Sequence, residues 1–118
     1  MHFIGQYHSH LKKDRIRLPA KLAYLMQDVS KIPAIVEKEG QYKFITCFPK
    51  KGRYEKRYNL DVSVTKADVK LILPKQLIKE AGLEKEIVFA GVLDILEIWP
   101  KSKFEKYNKR MPTKFPEL

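Results

Sequence analysis

Cysteine is almost missing from this chain. Cys47 stands alone, so no internal disulfide can form, and its setting in Tyr42-Lys43-Phe44-Ile45-Thr46-Cys47-Phe48 reads as a strand position filled by a small hydrophobe. A catalytic thiol needs a base beside it, and none is identifiable. Long apolar runs are missing as well. Nothing approaches the roughly 18 to 20 residues of a membrane-spanning helix, and the N-terminus lacks a basic stretch followed by an apolar one. The expectation is a chain with neither span nor signal peptide, working in the cytoplasm. There is no glycine-rich phosphate loop, no nucleophile motif and no acidic pair at recognisable spacing, so neither an enzyme nor a cofactor or small-molecule substrate is expected. Negative charge is the last shortage: 14 Asp and Glu face 24 Lys and Arg, a formal charge of +10. Such a balance suits a protein that meets phosphates or another anionic surface.

What is present is a pattern stated twice. Lys13-Asp14-Arg15-Ile16-Arg17-Leu18-Pro19-Ala20-Lys21-Leu22 returns 55 residues later as Asp68-Val69-Lys70-Leu71-Ile72-Leu73-Pro74-Lys75-Gln76-Leu77. In both copies a cation stands four places before a proline, aliphatic residues fill the gap apart from Arg17, and a leucine follows three places after. Each copy reads as turn, strand, helix, with proline at the helix's first residue, where its fixed φ suits and its missing N–H does no harm. Leu22, Leu25 and Met26 then recur at helical spacing, as do Leu77, Ile78 and Ala81, and Gly82 is placed to stop the second helix. An internal repeat of this kind fixes the folding unit. With 118 residues the chain can bury one modest core, and two halves of this size would be marginal alone, so they are expected to share it.

Along the chain, short strands alternate with short helices. Expected strands are Phe3 to His10 and Arg15 to Leu18, with Arg15 and Arg17 on one face and Ile16 and Leu18 on the other. A helix follows from Ala20 to Met26. Ala34 to Val36 and Tyr42 to Phe48 flank a polar turn and read as a hairpin. Lys50 to Arg57 is a charged connector, short helical turns being one reading of it. The second half repeats the plan: strands Leu60 to Thr65 and Lys70 to Leu73, helix Lys75 to Ala81, strands Ile87 to Ala90 and Ile95 to Trp99, and a final helix from Ser102 to about Asn108. Residues 1–58 and 59–110 are the two expected halves. The segment 111–118, with two of the seven prolines, is an expected trailing tail.

Two clusters carry candidate chemistry. Lys12, Lys13, Arg15 and Arg17 place four cations within six positions at the end of a strand pair, a surface able to track phosphates and put one guanidinium in a groove. A charge cluster is equally the mark of a solvated turn. His8 and His10 share a strand face with His2 nearby, so zinc is conceivable, but three imidazoles without a carboxylate make a thin site and no metal is expected.

Several of these segments carry a family resemblance. Phe3-Ile4-Gly5, the Lys13 to Leu22 block, Leu73-Pro74-Lys75-Gln76-Leu77 leading to Ala81-Gly82-Leu83, and Lys85-Glu86-Ile87-Val88 followed by Leu96-Glu97-Ile98-Trp99 resemble, in order, the MraZ family of bacterial transcriptional regulators within the SpoVT/AbrB-like superfamily. The middle, Ile32 to Tyr58, matches only in pattern and is shorter than usual. The resemblance implies an α+β fold, mostly β with short helices. Its two swapped-hairpin halves would form a pseudo-dimer within one chain. It also implies assembly into a homo-oligomeric ring, association with the nucleoid, and repression of the division and cell wall gene cluster through repeated promoter boxes in double-stranded DNA. Family halves usually carry Asp-x-x-x-Arg in the turn. Here Leu11 precedes Arg15, and Lys66 precedes Lys70. The customary glycine before the arginine is Asp14 in one copy and Val69 in the other. If that position needs φ > 0, Asp tolerates it and Val does not, so the second turn is expected to be reshaped or to lack a DNA role. Arginine can grip guanine with two parallel bonds whereas lysine is a point charge, so Lys70 would hold phosphate. The expected DNA-binding residues are Lys12, Lys13, Arg15, Arg17, Lys66 and Lys70. The competing class is an RNA-binding module or protein-interaction scaffold on the same fold, in which Tyr42, Phe44, Tyr54 or Tyr58 would stack on single-stranded bases. Strand alternation favours core packing for Phe44 and Phe48.

Overall fold

The computed structural model describes residues 3–49 and 56–110. His2, Tyr54, the body of the charged connector and the segment 111–118 lie outside the described residues. Among the described residues, eight strands and three short helices follow one another as β1 (Phe3–Lys12), β2 (Arg15–Arg17), α1 (Ala20–Met26), β3 (Lys31–Glu39), β4 (Tyr42–Cys47), β5 (Tyr58–Val64), β6 (Val69–Ile72), α2 (Lys75–Ala81), β7 (Glu86–Leu93), β8 (Ile95–Pro100) and α3 (Lys101–Arg110). The fold is mostly β with short helices, as the sequence pattern predicts.

The strands close into an antiparallel barrel in the order β1-β2-β6-β5-β3-β4-β8-β7. This order interleaves the two halves of the chain. β1 pairs with β7 along eight positions from Phe3↔Leu93 to His10↔Glu86, while β5 pairs with β3. Advancing every strand by four in the series reproduces the same set of neighbours. Closure removes the exposed sheet edges at which strands of other chains would add.

Inside the barrel, alternate residues of each strand meet. Phe3, Ile16, Ile32, Leu60, Leu71, Phe89, Leu96 and Ile98 belong to one continuous core, which Leu22 and Met26 of α1 and Leu77 and Ala81 of α2 extend. Cys47 lies within it, fully buried, and burial pushes its thiol up to about 12, consistent with a packing role. Where β1 crosses β7, Gly91 is required: a Cβ there would sit 2.6 Å from the Phe3 carbonyl carbon.

Both prolines fall one place earlier than expected. Pro19 and Pro74 are N-caps with ψ of 152° and 142°, and the helices begin at Ala20 and Lys75. The reason lies in the preceding leucines, which the barrel holds extended: Leu18 N–H donates to the Val69 carbonyl (2.9 Å) and Leu73 N–H to that of Asp14 (2.8 Å). The proline carbonyls then accept from Ala23 (2.8 Å) and Ile78 (3.2 Å), opening each helix. Gly82 does stop α2, in the left-handed conformation (φ 66°), its N–H returning to the helix's last carbonyls.

The outer face of β4, β8 and β7 is covered by α3. Trp99 stacks on Phe44 (centroids 4.3 Å, 6°) and on Tyr107 (5.0 Å), with Phe104 edge-on at 5.6 Å. The Tyr107 hydroxyl donates to Glu39 Oε2 (2.7 Å), and Trp99 Nε1–H donates to Glu97 Oε1 (2.8 Å), so both polar tips are satisfied.

Candidate nucleic-acid interface

On the other side of the barrel β2 lies between β1 and β6, and its outward residues are cations. Alternation buries Ile16 and turns Arg15 and Arg17 to solvent. Register then sets like charges opposite each other: Lys12 faces Arg15 across β1 and β2, and Arg17 faces Lys70 across β2 and β6. Directly opposed like charges destabilise a sheet unless something neutralises them. Two carboxylates do so partially. Asp14 sits 3.7 Å from Arg15 Nε and Asp68 3.8 Å from Arg17 Nε, both long pairs of an exposed arginine with a half-buried carboxylate, and of small worth at that distance.

The two turns stand at opposite ends of the β2–β6 pair. The first is a two-residue connection, Lys13-Asp14, between Lys12 and Arg15. The second spans Thr65 to Asp68 between Val64 and Val69. About four residues of strand separate them, roughly 13 Å at the usual rise. An open cleft of about 1000 Å³ joins them, and Lys12, Lys13, Arg15, Arg17, Lys66 and Lys70 all line it. All six candidate cations are thus brought to one surface, Lys70 half-buried and the rest exposed.

Backbone geometry corrects one sequence expectation. Neither Asp14 nor Val69 has positive φ; the left-handed residue is Lys13 (φ 58°). Val69 is a buried strand residue, so its branched side chain carries no strain there. The second turn does differ from the first, but through its length and through Thr65, whose Oγ1 accepts from the N–H groups of Ala67 (3.3 Å) and Asp68 (3.1 Å). Leu11, standing where the family usually has aspartate, packs against the core, while Lys66 at the matching place in the second copy is exposed.

Other residues join the cleft that the cation pattern did not single out. His8 and His10 line it as exposed outward residues of β1. Among the described residues no three His, Cys, Asp or Glu side chains converge as metal ligands. From α1 and its C-cap come Ala20, Ala23, Tyr24 and Gln27, spaced as one helical face, with Tyr24 74% exposed. The signal for that face was available, since the 55-residue repeat places α1 and α2 in register. The aromatics considered for base stacking are committed elsewhere: Tyr42, Phe44 and Tyr58 are buried. Among the described residues no helix is long and apolar enough to cross a membrane.

Sequence comparison finds relatives along nearly the whole chain. The family model described as "MraZ protein, putative antitoxin-like" matches residues 67–116. The chain is similar to the transcriptional regulator MraZ of Mycoplasmoides gallisepticum, 29% identical over 98% of this chain and 94% of that protein. It is also similar to the regulators of the same name from Christiangramia forsetii (35% identical, 60% of this chain) and Desulfosudis oleivorans (33%, 71% of this chain). In those two matches the chain spans about half the length of the relative, 48% and 56%. The family model begins within the second turn and takes in the elements after it, and the likeness to the Mycoplasmoides gallisepticum regulator runs along nearly the whole chain: the chain is similar to the MraZ family throughout its length.

Proposed function

We propose that the protein is a transcriptional regulator that binds duplex DNA through the cationic face around β2. The observation that carries this reading is the opposition of Lys12 to Arg15 and of Arg17 to Lys70 on one outward surface. A phosphate backbone neutralises charges that the fold leaves unbalanced, and releases counterions as it does so. Lys12, Lys13, Arg17, Lys66 and Lys70 give affinity and register, and Arg15, on the exposed strand beside the tight turn, reads a base. The relatives' common name, transcriptional regulator MraZ, supports the same reading.

The finer proposals build on it. The interleaved strand order supports an internal pseudo-dimer with halves 1–58 and 59–110. Copies of the chain assemble into a ring that presents many weak contacts to repeated promoter boxes, so that the first contact raises the effective concentration for the next. The outcome is repression of the division and cell wall cluster. Since Trp99, Phe104 and Tyr107 are consumed within the chain, assembly uses other apolar surface, and Ile4 (59% exposed) and Leu93 (69%) on neighbouring strands offer it. Burial of Tyr42, Phe44 and Tyr58 counts against the single-stranded RNA alternative.

Competition binding tests the reading. Duplex DNA with direct repeats should displace a labelled probe ahead of scrambled duplex, and both ahead of single-stranded RNA. Equal competition by all three, or preference for the RNA, overturns it.

A further inference from the structure

The cationic cleft has a smaller counterpart at the far side of the first turn. Lys13, Asp14, Lys75, Ile78, Lys79, Gly82 and Leu83 enclose an open niche of about 680 Å³. Shifting Lys75, Ile78, Lys79 and the cap residue Gly82 back by 55 gives Ala20, Ala23, Tyr24 and the cap residue Gln27, all of which line the main cleft. Each helix therefore turns the same face toward a turn of the opposite half: α1 toward Thr65 to Asp68, α2 toward Lys13-Asp14.

The register shows that the two places open to the same side. In the β2–β6 pair the same shift carries Arg15↔Ile72 into Lys70↔Arg17 and leaves Ile16↔Leu71 in place. An exchange centred on that pair keeps the outward face outward. A duplex laid across Arg15, Arg17 and Lys70 thus has the α1 face at one end and the α2 face at the other.

The two ends differ in chemistry. At the α1 end the helix contributes no charge to the cleft. At the α2 end Lys75 and Lys79 stand with Lys13 as three exposed ammonium groups against one carboxylate, Asp14. Among the described residues none of the three is in an ion pair. Ile78 and Leu83, half-buried against the core, form an apolar floor along which lysine stems can lie while their heads reach outward. Three mobile point charges without a fork fit phosphates rather than base edges.

We propose that Lys75 and Lys79, with Lys13, form a phosphate-binding niche that extends the duplex footprint beyond the turns onto α2, so that each chain grips DNA unequally at its two ends. This rests on the duplex-binding reading above and adds two contacts to it.

Salt titration of binding tests it on the same repeat-bearing and scrambled duplexes. Lys75→Ala with Lys79→Ala should reduce the slope of log affinity against log salt by about two, equally for both duplexes, since one counterion fewer is released per lysine. Lys75→Arg with Lys79→Arg should restore the wild-type slope, which separates charge from any part Lys79 plays at the C-terminal end of α2. Lys103→Ala on α3, across the barrel, should leave the slope alone. If the double alanine variant does not fold, each single variant should lose about one unit. Unchanged slopes in the alanine variants, with Lys12→Ala still lowering the slope, overturn the niche and spare the duplex reading. A slope reduced as much by Lys103→Ala overturns it too. Wild-type protein that fails to prefer duplex would defeat the underlying reading instead.

Discussion

Corresponding strands of the two halves meet at two places in the barrel, β2 against β6 and β4 against β8, on opposite sides of the closed order. Inward, the two places are alike: Ile16 and Leu71 at one, Ile45 and Ile98 at the other, all fully buried in the same core. Outward they diverge. The β4–β8 side carries Phe44 and Trp99, and α3 closes over them with Phe104 and Tyr107. The β2–β6 side carries Arg15, Arg17 and Lys70, and among the described residues its ion pairs are the long contacts to Asp14 and Asp68. One side has taken its cover from the chain itself, and the other has unbalanced charge. On the duplex-binding proposal, stability and recognition are separated in space, and substitutions can test the separation.

The largest effect should come from the covered side. Trp99→Ala removes the ring shared by Phe44, Phe104 and Tyr107, and should cost about 3 to 5 kcal/mol in urea denaturation. The salt slope of DNA binding by the folded fraction should not change. A changed slope would show that the two sides are not independent.

Next in size, Arg15→Ala should lower affinity for the specific duplex by about 1 to 3 kcal/mol and flatten the preference over scrambled sequence. Unfolding should move little, because Arg15 is exposed. Unchanged affinity for both duplexes would remove the first turn from recognition.

Smaller effects sharpen the comparison between the turns. Lys66→Ala and Lys70→Ala should each reduce the salt slope by about one, for all duplexes alike. Lys70→Arg should raise discrimination if the β6 side faces a groove; curves that overlay wild type on matched and mismatched duplexes would leave one reading turn per chain. Smallest of all, Asp68→Asn removes a carboxylate 3.8 Å from Arg17 while keeping the side-chain oxygen that accepts from Thr65. A thermal melt shifted by no more than the ~0.2 to 1 kcal/mol of a long, partly exposed pair, with slightly tighter binding to every duplex, is expected. Weaker binding would mean that Asp68 orients Arg17 more than it neutralises it.

Much of this architecture is legible in the chain itself. α1 and α2 fall at Ala20–Met26 and Lys75–Ala81, the bounds that leucine spacing and Gly82 indicate. The faces of β2 follow from alternation. Elsewhere local pattern was incomplete. β3 runs from Lys31 to Glu39, well beyond Ala34 to Val36, because its pairing with β5 includes Pro33, whose place in a strand local propensity does not suggest. The positive φ fell on Lys13 instead of Asp14, since turn geometry depends on where β1 stops pairing.

The sequence by itself determined α1 and α2, the inward and outward faces of β2 and the candidate cations of the two turns, all of which depend on residues near one another in the chain. Only the tertiary structure decided which of these came together. It took barrel closure to set Lys70 beside Arg17, to seat Tyr24 in the cleft with the second turn, to place Lys75 and Lys79 beside Lys13, and to bury Trp99 under α3. Those neighbours are about 50 residues apart in several cases, and their pairing depends on the register of β1 with β7 and of β2 with β6, which minimises the exposed apolar surface of the whole barrel and has no signature within a single strand.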